Sequence, residues 1–511
     1  MNKLMRVTSS LMMLWLGVQL FGCGGGSNHV AGIDGSGAPV TSASGTVNGF
    51  GSVIVNGVRY HSDKTKFLVN GQIADESSLH TGYQVRVTGT LNSDGTGTAN
   101  TIEFNPNLIG AITQIDLQNE QLVLLGQTVQ ITNTTLFDTA ITPNDLSGLT
   151  VGNEILVSGQ INSEGLIAAT RIELTTQQNH QLSGVISNLN IATTTFSLNN
   201  LTINYSGATL NNFPDNQLKN ALNIHVFGSL DSQGIFKAQI INFQNSTFSA
   251  DVKNADIEGF ITRFVNSSDF DVAGIPCSSN STTTYSNGSS TDLALGSSIK
   301  VNGSVNTAGV LVAQKIEFRQ QVINEINGQV SSVSTPVTGA IATGTLHIAN
   351  TDIQTNNSTV YEDGGGDRLR RFNFLSIHVN DFLKVTGYTS GTVFIATKIE
   401  RKIPLTDNPI RYEGLITQVD SNAQSIVIYG QTLYINSQTE IHGAMGVTLT
   451  AAQFLAQALN QQVRLEGTVR NGVFTATRVD IRSLNEDDFH QPRDGGGHQP
   501  GGTPQNGGML H

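Results

Sequence analysis

Two cysteines, one tryptophan and eleven prolines among 511 residues exclude several common designs at once. Two thiols cannot make the disulfide framework of a small secreted scaffold. Only 13% of the residues are charged, whereas coiled coils and helical repeats need abundant Glu, Lys, Leu and Ala. Basic side chains are outnumbered 27 to 39, a balance that argues against a general nucleic-acid partner. With aromatics at 6%, the stacking platform of a single-strand binder is not expected either. Zincin, phosphate-loop and nucleophile-elbow patterns are missing, so the reading is a non-enzyme without cofactor or metal. Beyond the N-terminus no apolar run approaches membrane-spanning length.

What is present begins with an address. Lys3 and Arg6 precede a short apolar run, Leu11 to Phe21, which ends in Leu20, Phe21, Gly22 and Cys23. The run is too short to span a bilayer and reads as a secretion signal. Its end resembles the bacterial lipoprotein signal, in which a small residue precedes a cysteine that is lipidated on sulfur. Phe21 departs from the small residue usual two positions before that cysteine. Gly24, Gly25, Gly26 and Ser27 follow as a flexible tether. The alternative is an ordinary cleaved signal with an incidental cysteine.

The body of the chain repeats itself six times. Each copy opens with Gly, any residue, then Val or Ile, at Gly45, Gly110, Gly184, Gly259, Gly328 and Gly414. A second glycine follows a branched apolar residue and a spacer, at Gly89, Gly159, Gly228, Gly303, Gly387 and Gly467. Nine or ten residues later comes an alanine, at Ala99, Ala169, Ala238, Ala313, Ala396 and Ala476. Apolar residues alternate within a copy, as in Val129 and Ile131 or Val85 and Val87, the two-residue period of half-buried strands. Turn residues such as Asn92, Ser93, Asp94, Gly95 separate the last two strands. Three strands, a short helical connection and a hairpin match the order of an OB-like barrel.

The expected fold is therefore all-β: six tandem small OB-like β-barrel modules behind a lipoprotein signal, with a disordered C-terminal tail. The boundaries are 1–23 for the signal and lipidated Cys23, 24–43 for the tether, then 44–107, 108–178, 179–245, 256–320, 325–402 and 411–483 for the modules, and 484–511 for the tail. Each module has its own strand set, so each is expected to fold alone, and six in line would extend on the order of 170 Å. In tandem behind that signal, the Gly-x-Val opening, the Val-x-Gly and the closing Ala169, Thr170, Arg171, Ile172, Glu173 resemble an uncharacterised bacterial repeat family, a domain of unknown function. The resemblance covers Ser44 to Arg482, implies small barrels in secreted or surface proteins and carries over no active-site residue.

Candidate chemistry is sparse. Asn92 with Asp94, and Asp269 with Asp271, could be offered as calcium ligands, but each lacks the further acidic oxygens such a loop needs; a turn and a strand face are the preferred readings. Arg368, Arg370 and Arg371 sit beside Glu362, Asp363 and Asp367 in an insertion of module five, where the two glycines are 59 residues apart against 44 in modules one, three and four. A solvated loop is expected there, while the glycine runs at Gly364 and Gly495 follow no strand-to-helix pattern and read as flexible loops rather than cofactor loops. Arg171 with Glu173, and Lys398 with Glu400, share a strand face two residues apart and read as surface ion pairs of little worth. Cys277 reads as a tolerated free thiol. His490, His498 and His511 lie in a tail whose composition suits solvent.

Together these features read as a non-enzymatic cell-envelope lipoprotein, a spacer or interaction scaffold at the outer membrane, on its periplasmic face or the cell surface. Its partners would be the membrane, through the lipid, and envelope proteins or polysaccharide, with no nucleic acid. The rival reading is a polysaccharide- or peptidoglycan-binding protein that holds sugars on its barrel faces.

Overall fold

The computed structural model describes residues 40–482 apart from 118, 178, 246, 250, 320–323, 335–342, 366–368, 391–392, 404–408 and 444–446. The signal with Cys23, the tether as far as residue 39, Asp367, Arg368, Gly495 and the three tail histidines lie outside the described residues, and residues 40–43 open the first strand of module one, Val40–Gly49.

Module two shows the barrel plainly. Its first strand, Leu108–Asp116, pairs antiparallel with Gln121–Leu124, which pairs with Gln127–Gln130. That third strand runs parallel to the last, Ile167–Leu174, which pairs with Glu154–Ile161, and this fourth strand returns to the first. The circuit one-two-three-five-four-one, with a parallel contact between three and five, is a closed OB-like barrel. The helical connection is reduced to one turn, Leu146–Gly148, capped by the Asp145 side chain. Module six has the sole α-helix among the described residues, Ala451–Leu455, with a reciprocal cap between Thr450 and Gln453.

Each recurring residue has a mechanical reason. The third residue of the opening triplet both donates to and accepts from the backbone of the loop before the fourth strand, as in Val47 N to Tyr83 O and Gly82 N to Val47 O. All six copies repeat this pair of bonds, and the loop residue that donates has positive φ in each: Gly82, Gly152, Ala221, Gly296, Asn380 and Asn460. The second glycine sits at a β-bulge in the closing hairpin, where the register shifts between Thr88 and Gly89 and at the equivalent place in every module. A Cβ on any of the six would press on the carbonyl oxygen of the residue just before the alanine, far inside ordinary contact. The alanine faces the core in every copy.

Polar turns add a pattern that the spacing of glycines does not reveal. The hydroxyls of Thr65, Thr135, Thr283, Thr359 and Thr439 each donate to the carbonyl of the core alanine of their module at 2.7–2.8 Å. Module three has Ala208 at that position and lacks the bond.

The expectation of modules strung in line is overturned. First strands join the barrels in pairs: modules two and three antiparallel through Leu108–Leu182 and Ile109–Gln181, modules five and six antiparallel through Ile326–Tyr412 and its neighbours. Module one instead pairs in parallel with module four, Val40 to Ser44 lying along Val252 to Ile257. The reason is that an opening strand has two edges, and after closing its own barrel it still offers hydrogen-bonding groups that a second barrel can satisfy.

The two antiparallel pairs share interiors, whereas modules one and four keep separate apolar clusters. One continuous apolar cluster runs through modules two and three, from Leu108, Leu122 and Val129 to Leu182, Leu198 and Leu201. Another joins modules five and six, where Phe394 meets Tyr429 edge-on and the Glu325 amide donates to the Tyr429 hydroxyl at 3.1 Å. A fragment 108–178 is thereby left with exposed apolar surface. Residues 108–245 should melt cooperatively and well above 108–178 by circular dichroism; equal melting temperatures would restore the independent module.

Candidate functional site

A cluster of buried charged side chains lies where modules one, two and five meet, and Arg171, Glu173, Lys398 and Glu400 come to it from the closing strands of modules two and five. In module two, Arg171 and Glu173 project from the fifth strand on the side away from the barrel interior. Strand alternation puts both on one face, as the spacing implies, but that face is covered: their side chains are only 9% and 10% exposed. Lys398 and Glu400, at the same places in module five, are 3% and 6% exposed. The surface ion-pair reading is therefore corrected. A period of two tells which residues share a face, and the neighbouring module decides whether water reaches it.

Glu173 collects three donors. His80 and Tyr83 reach it from module one, Tyr83 at 2.6 Å, and Arg171 bonds to it within module two. Tyr83 is held by stacking on Phe104. Arg171 also donates to the Thr81 carbonyl of module one at 3.2 Å and to Glu362 of module five at 3.0 Å. From the opposite side Lys398 donates to the Thr135 carbonyl of module two at 3.0 Å, and Lys402 reaches Asn144 at 3.2 Å.

The energetics follow from this wiring. Burial disfavours the Glu173 carboxylate, yet the bonds from His80 and the charge of Arg171 outweigh it and hold the group at about 2. Glu400 is likewise brought to about 2 against its burial, by Lys398, Lys402 and Lys384. Glu362 goes the other way: burial raises it, and Arg171 compensates only in part. One of its carboxylate oxygens is buried without a hydrogen-bond partner. Burial pushes the Tyr83 hydroxyl up, and Glu173 adds to the shift.

The insertion of module five serves the same junction. Arg370 donates to the carbonyls of Glu76 and Leu79 in module one and lies 4.0 Å from the centre of the Phe50 ring. Asp363 anchors the loop by accepting from Gly365 and Leu369 amides and from Arg401. The solvated-loop reading is thus wrong for Arg370 and holds for Arg371, which is 69% exposed. Local charge neutrality said nothing about a partner 294 residues away in sequence.

Other candidates stay apart from this junction. Asp94 accepts from the Thr96 amide at 3.0 Å within a hairpin turn, and Asp269 and Asp271 both pair with Arg263. Among the described residues no group of three His, Cys, Asp or Glu side chains is placed to hold a metal ion. Cys277 is buried, with burial pushing its thiol up to about 12. No described helix is long and apolar enough to cross a membrane. His80 and Tyr83 were not singled out by sequence, and Glu362, read as part of a solvated insertion, is instead buried against Arg171. The one signal that marks His80 and Tyr83 is that Thr81 stands where the modules two, four, five and six carry Val151, Leu295, Val379 and Leu459.

Closed five-stranded barrels, repeated and wired to one another by buried charge, define a protein of tandem OB-like modules. The chain belongs to the family described as Domain of unknown function (DUF5666), whose pattern matches residues 38–103, 109–173, 258–317, 327–400 and 413–480. Module three, the copy without the threonine bond, is not among the matched stretches. No curated protein matches the chain.

Proposed function

We propose that the protein is a non-enzymatic cell-envelope lipoprotein, tethered to the outer membrane through a lipid on Cys23, whose barrels form an interaction scaffold. The observation that carries the anchoring is Leu20, Phe21, Gly22 and Cys23 placed directly before a glycine tether and the first module. Acyl chains on that sulfur would hold the protein without a spanning helix. The scaffold reading is supported by what the recurring residues do: glycines, alanines and threonines serve bulges, cores and turns, while the module faces differ and engage protein surfaces. Because the modules pair rather than follow in line, a scaffold suits the chain better than an extended spacer. An acidic balance makes nucleic acid an unsuitable partner.

Changing Cys23→Ser should abolish incorporation of a fatty-acid analogue and release the protein from membranes. Undiminished labelling would end the lipoprotein reading. Capture from envelope extracts by the released form should yield proteins. Recovery of polysaccharide alone would favour the sugar-binding alternative.

A further inference from the structure

The contact between modules one and two has a socket and a plug. The socket is the loop before the fourth strand of module one, Thr81, Gly82 and Tyr83; the plug is the outer face of the closing strand of module two, Thr170, Arg171 and Glu173. Gly82 lies so close to Leu136, the Thr170 carbonyl and Arg171 that a Cβ there would come within 2.9–3.1 Å of them. Arg171 donates to the Thr81 carbonyl, and Glu173 accepts from Tyr83.

The same two surfaces recur elsewhere in the chain without each other. In module four a cleft is lined by Leu295, Gly296, Ser297, Ser298, Phe318 and Arg319. These are the copies, residue for residue, of Thr81, Gly82, Tyr83, Gln84, Phe104 and Asn105. A Cβ on Gly296 would meet only the Ser163 hydroxyl, at 4.0 Å. Leu295 is 57% exposed, where Thr81 is 8% exposed. The Nε of Arg319 is buried without an acceptor, although its other nitrogens pair with Glu258 and Glu317.

The matching plug is the closing strand of module six. Ala476, Thr477, Arg478, Val479 and Asp480 repeat Ala169 to Glu173. Arg478 and Asp480 are paired at 2.9 Å, as Arg171 and Glu173 are paired, but their side chains are 44% and 27% exposed. The charged pair is preset on the strand.

We infer that module six of one copy docks its Thr477, Arg478, Asp480 face into the module four cleft of a second copy, repeating between chains the contact that modules two and one make within one. Arg478 then donates to the Leu295 carbonyl, as Arg171 does to Thr81, while Asp480 accepts from Ser297 and Arg319. Leu295 is covered in the process. Such a contact joins different surfaces of the two partners, so it propagates head to tail into a ring or an open chain.

The test uses the purified full chain and two variants, Arg478→Glu, which spoils the plug, and Leu295→Asp, which spoils the socket. Both positions are exposed, and an unchanged thermal melt verifies the fold. By light scattering the mass of the unaltered protein should rise with concentration, while each variant alone stays monomeric. An equimolar mixture of the two should give a dimer and nothing larger, because only one good socket and one good plug remain per pair. A monomeric unaltered protein at every concentration, association that survives either substitution, or a mixture that stays monomeric would each overturn the assignment.

Discussion

Replacing Gly387 with alanine should unfold modules five and six together at a temperature where the rest of the chain is intact. The added methyl would run into the Ile395 carbonyl and the Phe394 ring. The bulge cannot relax easily, because Gly387 pairs with Ala396, whose side chain faces the core, and the flanking register is set on both sides. Overpacking a fixed backbone in this way costs roughly 3 kcal/mol. Phe394 lies in the apolar cluster common to both modules and touches Tyr429, so the loss reaches module six. Hydrogen exchange resolved by segment would show it, with protection falling over 324–482 and little change over 108–243. A loss confined to module five would mean that the common cluster does not couple the two barrels.

Arg171→Met should be the most damaging single change at the three-module junction. It leaves Glu362 without the guanidinium that donates to it and Glu173 with only His80 and Tyr83, and breaking a buried ion pair by removing one partner costs about 3–5 kcal/mol. Glu362→Gln should do far less, since burial already disfavours that carboxylate and an amide oxygen can still accept from Arg171. The pH dependence carries a definite sign. Glu173 is held at about 2 when folded, below its ordinary 4.5, so its contribution is complete above pH 4.5 and is lost as the pH falls towards 2. Glu362 is raised and acts oppositely, favouring the folded state as it gains its proton. Denaturant titrations between pH 2 and 7 should therefore show a steeper acid loss in Glu362→Gln than in the unaltered protein. In Arg171→Met the part of that loss due to Glu173 should shrink. Equal sensitivity of all three proteins to acid would remove the junction from the stability of the chain.

The barrel itself was legible because its determinants are local. Alternation, hairpin turns and the constant interval from glycine to alanine all report contacts within one module, and the bulge explains why that interval cannot drift. Module three was recognisable by spacing even though it lacks the threonine found in the other five. The pairing of modules was hidden, because it depends on which edge of the first strand remains free. Val40 to Ser44 and Val252 to Ile257 carry no mark that one should lie along the other. The junction was hidden for a related reason: Arg171 and Glu173 have the same pattern as Arg478 and Asp480, yet the first pair is covered and the second is open.

The parallel union of modules one and four also sets a clock on synthesis. Asn56 and Asp256, which bond across that union at 2.8 Å, are 200 residues apart. At translation rates of roughly 5–20 residues per second, some 10–40 s pass between the appearance of the first partner and that of the second. Throughout that interval the strand from Val40 to Ser44 is an uncapped template, able to accept whichever opening strand arrives first, and those of modules two and three emerge earlier. Slower elongation between modules one and four should thus raise the fraction of chains trapped with the wrong neighbour.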